Sequence, residues 1–298
     1  MSAVREQVVD RLAAAVSALP PAVLRSSPGV QLAANRALKR RPRSYRAVPT
    51  AHGFTVDGHT SDLIQRYLYV FGVWEPDVTR WLRGHLQPGD VVVDIGANIG
   101  WFSLLAASCV GPSGRVLAFE PVPSIADALE ANVRRNGLPV DVHRVVVGDS
   151  GGSTEVFRSA GTNLGRSGTA GGVGTVSEGA VTTVRAADAV PRELWSRIRF
   201  VKVDVEGDER RVLRGLEPLL AALSPGAAVF VEVTPDDLAA RGESADELLS
   251  AMRALGYLPL AIANSYAPES YARRQPQDPV PLRATPTTQT DVIFVRQP

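Results

Sequence analysis

The apolar positions of this chain change period along its length. Near the start, Val4, Val8, Leu12 and Val16 recur every fourth residue, which predicts an amphipathic helix. Pro-containing turns follow, and residues 61–87 read as helix carrying Tyr67, Tyr69, Trp74 and Trp81. From residue 91 short apolar runs alternate with longer helical stretches. Val91-Val92-Val93, closed by Asp94 and Gly96, has the form of a buried parallel strand. A helix from Trp101 ends at the turn residues Gly111-Pro112-Ser113-Gly114. A second strand covers Val116 to Phe119, and a helix from Pro123 to Asn136 is stopped by Gly137. Val140 to Val147 is the third strand, and Phe200 to Val205 the fourth, with a helix after it through Leu220. Ala228 to Val233 is the fifth, followed by a helix from Pro235 to Leu255 that Gly256 stops. Leu258 to Ile262 and Val292 to Val295 complete the set.

Strands that alternate with helices of this length predict an α/β fold: a Rossmann-like, seven-stranded, mostly parallel sheet with helices on both faces. Residues 1–60 are expected as an N-terminal helical and basic extension, and residues 61–298 as the domain proper. Ligands of such sheets lie beyond the carboxyl ends of the strands. Asp94, Glu120, Asp149, Asp204, Glu206 and Glu232 all fall at or just after those ends. Two stretches break the alternation. Residues 150–185 hold seven glycines between Gly161 and Gly179, and residues 264–290 hold five prolines with Tyr266 and Tyr271. Both are lid candidates, with disorder as the alternative for the glycine-rich piece.

Composition adds exclusions. A net charge of +1 gives no whole-chain footprint for a polyanion. The basic run Arg36, Lys39, Arg40, Arg41, Arg43 and Arg46 reads as a solvated arm, with an RNA- or protein-binding arm as the alternative. Cys109 is the single cysteine, so no intrachain disulfide forms, and its apolar setting suits a buried inert thiol. His52, His59, His85 and His143 have no metal-ligand spacing. No stretch is apolar for long enough to span a membrane. Glu6 and Asp10 stand where a signal peptide would be cationic, so a cytoplasmic location is expected. Of 32 cationic side chains only Lys39 and Lys202 are lysines, so a role that arginine cannot fill is worth seeking at Lys202.

The chemistry concentrates in two segments. Asp94-Ile95-Gly96-Ala97-Asn98-Ile99-Gly100 is a glycine-rich strand-to-helix turn, where backbone can approach a ligand and helix N–H groups are free. Its spacing is not the G-x-G-x-x-G of dinucleotide sites, and Asp94 would repel a pyrophosphate, which makes a dehydrogenase the weakest reading. Glu120, at the end of the next strand, can accept both hydroxyls of a ribose. Ribose recognition without a diphosphate site points to S-adenosylmethionine. The alternative is a solvated glutamate.

At this point the sequence resembles the FkbM family of S-adenosylmethionine-dependent methyltransferases. The matching pieces are GVWEPDVTRWL, LQPGDVVVDIGANIGWFSLLAA, GRVLAFEPVPS, ANVRRNGL, Asn163 and Gly165 in TNLG, FVKVDVEGDERRVLRGL, FVEV and Gly256-Tyr257, over roughly residues 70–260. The resemblance implies that Asp94, Gly96, Ala97, Asn98 and Gly100 cradle the methionine part, with Glu75 from the approach segment. It implies that Glu120 and Pro121 hold the ribose, that Val147 lies near the adenine, and that Asp204 closes the pocket beside the transferable methyl. Ala187-Asp188 stands where the family usually has Leu-Asp, and Val147-Gly148-Asp149 where Ala-Leu-Ser is commoner.

Methyl transfer to an aliphatic hydroxyl needs alignment and a group to take the proton. The candidate catalytic cluster is Lys202, Asp204, Glu206 and Glu232. Asp204 or Glu206 can serve as base with Lys202 steering it or the acceptor. A second reading makes Asp204, Glu206 and Glu232 ligands for Mg²⁺, which is not the favoured one, and a third makes the cluster a structural ion pair. The expected function is O-methylation of a small-molecule hydroxyl, on a sugar, polyketide or other secondary metabolite, with homo-oligomerisation left open. The alternatives are an RNA or protein acceptor docked on residues 36–46, or a non-catalytic nucleoside-binding protein.

Overall fold

A computed structural model describes residues 7, 11, 13–16, 18–273 and 275–298. Val4, Val8 and Leu12 of the expected N-terminal helix lie outside the described residues; Val16 is helical and half-buried. The chain then forms α1 (Pro21–Leu24), α2 (Pro28–Arg40) and an antiparallel hairpin of β1 (Ser44–Pro49) and β2 (Thr55–His59). Residues 44–59 of the segment expected as a helical and basic extension are therefore a hairpin. Leu24, Leu38, Val56 and Leu68 are wholly buried in one apolar cluster with the central sheet, so this segment supplies much of one face's core.

The helix expected over 61–87 is two helices, α3 (Leu63–Phe71) and α4 (Pro76–His85). Asp62 caps α3 by accepting from the Gln65 N–H at 2.9 Å, and Gly72 ends it in the left-handed conformation at φ 76°. The Arg25 guanidinium closes that end, donating to the carbonyls of Leu68, Tyr69 and Pro49 at 2.5–3.1 Å.

The alternating region opens with β3 (Val91–Ile95), α5 (Trp101–Val110), β4 (Arg115–Phe119), α6 (Pro123–Asn136) and β5 (Val140–His143). Eight of the ten residues of α5 are buried, as befits a helix apolar all round and covered on both sides. The third strand ends earlier than expected. Arg144 turns out to pair with Asp127 and Glu130, and β6 (Val146–Gly148) starts a second, three-stranded sheet with β7 (Gly152–Ser159) and β8 (Thr175–Arg185). The glycine-rich stretch is thus the far end of a β7–β8 hairpin, closed by a short 3-10 turn at Leu164–Arg166.

The chain continues through β9 (Ile198–Val203), α7 (Glu209–Ala222), β10 (Ala228–Val233), α8 (Pro235–Ala240), α9 (Ala245–Ala254), β11 (Tyr257–Ile262), α10 (Pro268–Arg273), β12 (Val280–Pro281) and β13 (Thr290–Arg296). The single helix expected after β10 is interrupted: Gly242 sits at φ 72°, and Ser244 with Glu247 forms a capping box that starts α9 afresh. The central sheet runs β12-β11-β13-β10-β9-β3-β4-β5. Its run from β10 to β5 is parallel, while β13 lies antiparallel to both β10 and β11. Seven strands match the expectation, and the two-residue β12 adds an eighth at the edge. Alternate residues serve opposite faces: Val92, Phe200 and Phe230 join the N-terminal cluster, whereas Val91, Val201 and Val229 pack against α7 and α9.

Candidate active site

Gly96 and Gly100 set the shape of the turn after β3. At φ 80°, Gly96 lies so close to β9 that a Cβ would sit 1.8 Å from the Asp204 carbonyl oxygen. At φ 95°, Gly100 leaves room for Leu129, whose Cδ1 would be 2.5 Å from a Cβ. Asn98 takes the left-handed conformation that asparagine tolerates, at φ 50°, and directs its own N–H to Glu120 Oε2 at 2.9 Å. The Val122 N–H donates to Glu120 Oε1, also at 2.9 Å. Two backbone donors thus fix this carboxylate, while burial pushes it up to about 7. A buried side chain on α6 braces the turn: Asn132 donates to the Ile99 carbonyl at 2.9 Å and accepts from the Asp57 N–H of β2 at 2.8 Å.

Lys202 sits between this turn and the end of β9. Its ammonium is 2.9 Å from Asp204 Oδ2 and 3.7 Å from Asp94 Oδ1, and it donates to the Gly96 carbonyl at 3.1 Å. Burial acts to lower its pKa, but Asp204 and Asp94 outweigh that and hold it above the ordinary lysine value. Asp94 faces α5, where Ser103 Oγ donates to it at 2.6 Å.

Further out the site is acidic. Burial, then the Asp204 charge, pushes Glu206 up to about 8 and Glu232 up to about 10. Burial, then Asp291 and Asp204, raises Glu75 as well. The Tyr266 hydroxyl bridges two of these groups, 3.2 Å from Glu75 Oε1 and 3.4 Å from Glu232 Oε1, and its ring stacks on Trp74 at 5.3 Å. Gln289 also donates to Glu232. Asp204, Glu206 and Glu232 each offer an oxygen within 4.8 Å of the others, near enough to share one cation.

These groups face one cavity of about 480 Å³ beyond the carboxyl ends of the parallel strands. It unites most of the expected set: Gly96, Ala97, Asn98, Glu120, Pro121 and Val147 around the glycine turn, and Glu75, Lys202, Asp204, Glu206 and Glu232 around the acidic part. Asp94 and Gly100 do not line it. Asp94 lies beneath the turn as the counter-charge of Lys202, and Gly100 acts through its packing on Leu129. The cavity also takes walls that sequence reasoning left out of the site. Residues 163–169 form one, anchored where the Leu164 N–H donates to Asp62 Oδ2 at 2.7 Å and the Leu63 N–H to the Thr162 carbonyl at 2.8 Å. Trp74, Tyr266 and Gln289 form another. The TNLG match and the position of Tyr266 in a lid candidate were the signals for these walls.

The arrangement can seat a nucleoside by its ribose at Glu120 and a positively charged group at the acidic end. The chain is 35% identical over 162 residues to the 31-O-demethyl-FK506 methyltransferase FkbM of Streptomyces tacrolimicus, covering 44% of this chain and 61% of that one. It is 30% identical over 159 residues to the hexuronic acid methyltransferase AglP of Haloferax volcanii, covering 53% and 62%. It therefore spans about three-fifths of the length of these relatives. Among solved structures, a putative rRNA methylase of Clostridium thermocellum superposes with a TM-score of 0.45 at 11% identity, covering 76% of this chain and 98% of that one. The sequence profile described as "Methyltransferase FkbM domain" matches residues 94–259, more than half of the chain, and the chain belongs to that family.

Proposed function

We propose that this protein transfers the methyl group of S-adenosylmethionine to a hydroxyl oxygen of a small molecule. The observation that carries the reading is Glu120: a buried carboxylate held by two backbone N–H groups at the mouth of the glycine turn, with lone pairs left for two ribose hydroxyls. Val147 lines the same end, where the adenine would lie, and Glu75 with the turn at Gly96 to Asn98 would take the methionine part. The sulfonium then falls toward Asp204, Glu206 and Glu232, whose charges favour a cation.

In the reaction the acceptor oxygen attacks the methyl carbon in line with the carbon–sulfur bond. The bonding pair leaves with sulfur as S-adenosylhomocysteine, and a base takes the acceptor's proton. Glu232 suits that role. Asp204 is engaged by Lys202, whereas Glu232 lies on the cavity wall with an affinity for protons raised by burial. Its carboxyl holds a proton at neutral pH until a cation arrives, because a nearby positive charge favours the ionised form. Cofactor binding thus readies the base. The same acidity bears on the acceptor. Asp208, Asp236 and Asp237 also line the cavity, so a phosphate backbone entering there would meet like charge. A neutral hydroxyl-bearing small molecule fits better than RNA.

Calorimetric titration with S-adenosylmethionine, S-adenosylhomocysteine and NAD, repeated on Glu120→Ala, tests the reading. Both S-adenosyl ligands should bind and NAD should not. The variant should bind about 10- to 100-fold more weakly, the value of one or two hydrogen bonds to a charged group. Folded wild-type protein that ignores both S-adenosyl ligands would overturn it.

A further inference from the structure

Lys202 joins the two motifs in a way neither one shows alone. It is the register partner of Asp94 on the neighbouring parallel strand, and Asp204 lies two residues further on, on the same side of β9. An ammonium has three donors. Here one reaches the Gly96 carbonyl, one reaches Asp204 Oδ2, and the charge faces Asp94 Oδ1. That Asp94 oxygen is buried and has no hydrogen-bond partner among the described residues, so the ammonium is its compensation. The ammonium also lies 5.6 Å from the centre of the Phe102 ring, which helps close the slot around it.

We propose that Lys202 is a positioning residue: its ammonium pins the Gly96 turn to the Asp204 end of β9 and so sets the shape of the cofactor cradle. This rests on the S-adenosylmethionine reading above. With two donors committed to Gly96 and Asp204 and its charge held by Asp204 and Asp94, Lys202 is given a structural task here rather than that of taking the acceptor's proton or steering the acceptor. What it fixes is a close approach of two backbones, the one in which Gly96 has no room for a Cβ against the Asp204 carbonyl. The residue type follows from the slot. A compact ammonium serves acceptors in three directions from one point, whereas a planar guanidinium presents its donors as a fork. That accounts for a lysine in a chain whose cations are almost all arginine.

The test uses the full chain. Removing Lys202 alone would strand the buried Asp94 charge, so the variant is Lys202→Met with Asp94→Asn, which removes both charges together. Thermal unfolding reports folding, and calorimetry reports binding of S-adenosylhomocysteine and S-adenosylmethionine against wild type. The expected result is a folded protein that binds S-adenosylhomocysteine at least about tenfold more weakly. S-adenosylmethionine should lose less, because Asp204 then faces the sulfonium without a competing ammonium. The preference for S-adenosylmethionine should rise by about threefold or more. If the double variant does not fold, Lys202→Arg decides: it keeps the charge and should still weaken S-adenosylhomocysteine by about fivefold with little change in melting. Wild-type affinities in either folded variant, or equal losses for the two ligands in the double variant, would overturn the proposal. Wild-type protein that binds neither ligand would instead overturn the methyltransferase reading itself.

Discussion

The buried carboxylates make the ligand-free protein lose stability as pH rises through neutrality. Burial pushes Glu120, Glu209 and Asp291 up to about 7, Glu206 to about 8 and Glu232 to about 10, against ordinary values near 4. A carboxyl raised by folding binds its proton more tightly in the native state than in the unfolded one. Its contribution to stability is therefore full below the unfolded value near 4, is lost as pH climbs from there through the native pKa, and is level above it. Histidines act in the opposite sense. Burial lowers His52 to about 4 and also lowers His85 and His143, so they add stability as pH rises, but that gain is nearly complete once pH passes their ordinary value of 6.5. Above pH 6.5 the carboxylates decide the sign.

At pH 7 the native protein holds roughly two to three more protons than the unfolded chain, which corresponds to a slope of about −3 kcal/mol per pH unit. Glu206 and Glu232 are only partly buried and can relax, so about −2 kcal/mol per pH unit is the working figure. For a chain of this size that lowers the melting temperature by about 4–8 °C between pH 6.5 and 7.5. Differential scanning calorimetry in buffers of matched ionic strength measures it, with Glu206→Gln/Glu232→Gln as the comparison. The double variant should show a shallower slope and a higher melting temperature at pH 8. Saturating S-adenosylmethionine should flatten the wild-type slope by supplying a cation. A wild-type melting temperature that is level or rises from pH 6.5 to 8 would refute the reasoning.

Two further perturbations probe the frame around the site. Gly96→Ala places a Cβ against the Asp204 carbonyl at a positive φ, so conformational strain alone costs about 1–2 kcal/mol and the turn must move off β9. S-adenosylhomocysteine binding should fall more than about tenfold by calorimetry, and unchanged affinity would show that the turn does not grip the ligand. Arg25→Ala strips three donors from the carbonyls of Leu68, Tyr69 and Pro49 at the end of α3, and should cost about 2 kcal/mol in urea unfolding. A loss under about 0.5 kcal/mol would mean that water replaces the guanidinium freely.

What could be read from the sequence was what depends on neighbours in the chain. Val91 to Val93, Val116 to Phe119 and Ala228 to Val233 are buried on both faces, so their apolar runs announce themselves without any partner. The two ends of the cradle were legible for the same reason, since glycine turn and following carboxylate are fixed by local backbone geometry. Boundaries set by one polar residue were not. Arg144 ends β5 because Asp127 and Glu130 stand on the helix beside it, and nothing within Val140 to Val147 signals that. The walls contributed by Asn163 to Thr169 and by Tyr266 were hidden for a related reason: their place depends on Asp62 and Glu75, each more than a hundred residues away in sequence.

Asp94 shows how the surroundings of a motif residue can depend on a strand far away in sequence. Read along the chain, a carboxylate at the start of the glycine turn suits a cationic ligand, and its position at a strand end is right. Only pairing β3 with β9 reveals that a cation of the chain's own, Lys202, already stands opposite it in register. Its charge is met inside the protein, and on the reading proposed above the attraction for a sulfonium falls to the carboxylates beyond the same ammonium, Asp204, Glu206 and Glu232. The cluster read as a base with a steering lysine, as Mg²⁺ ligands or as an ion pair is uneven in burial: Lys202 is buried, and Asp204, Glu206 and Glu232 are half-buried. On the reading proposed above, Lys202 with Asp94 shapes the cradle, Asp204 joins cradle to cavity, and Glu206 and Glu232 are the carboxyl groups that a cationic cofactor would favour in ionised form.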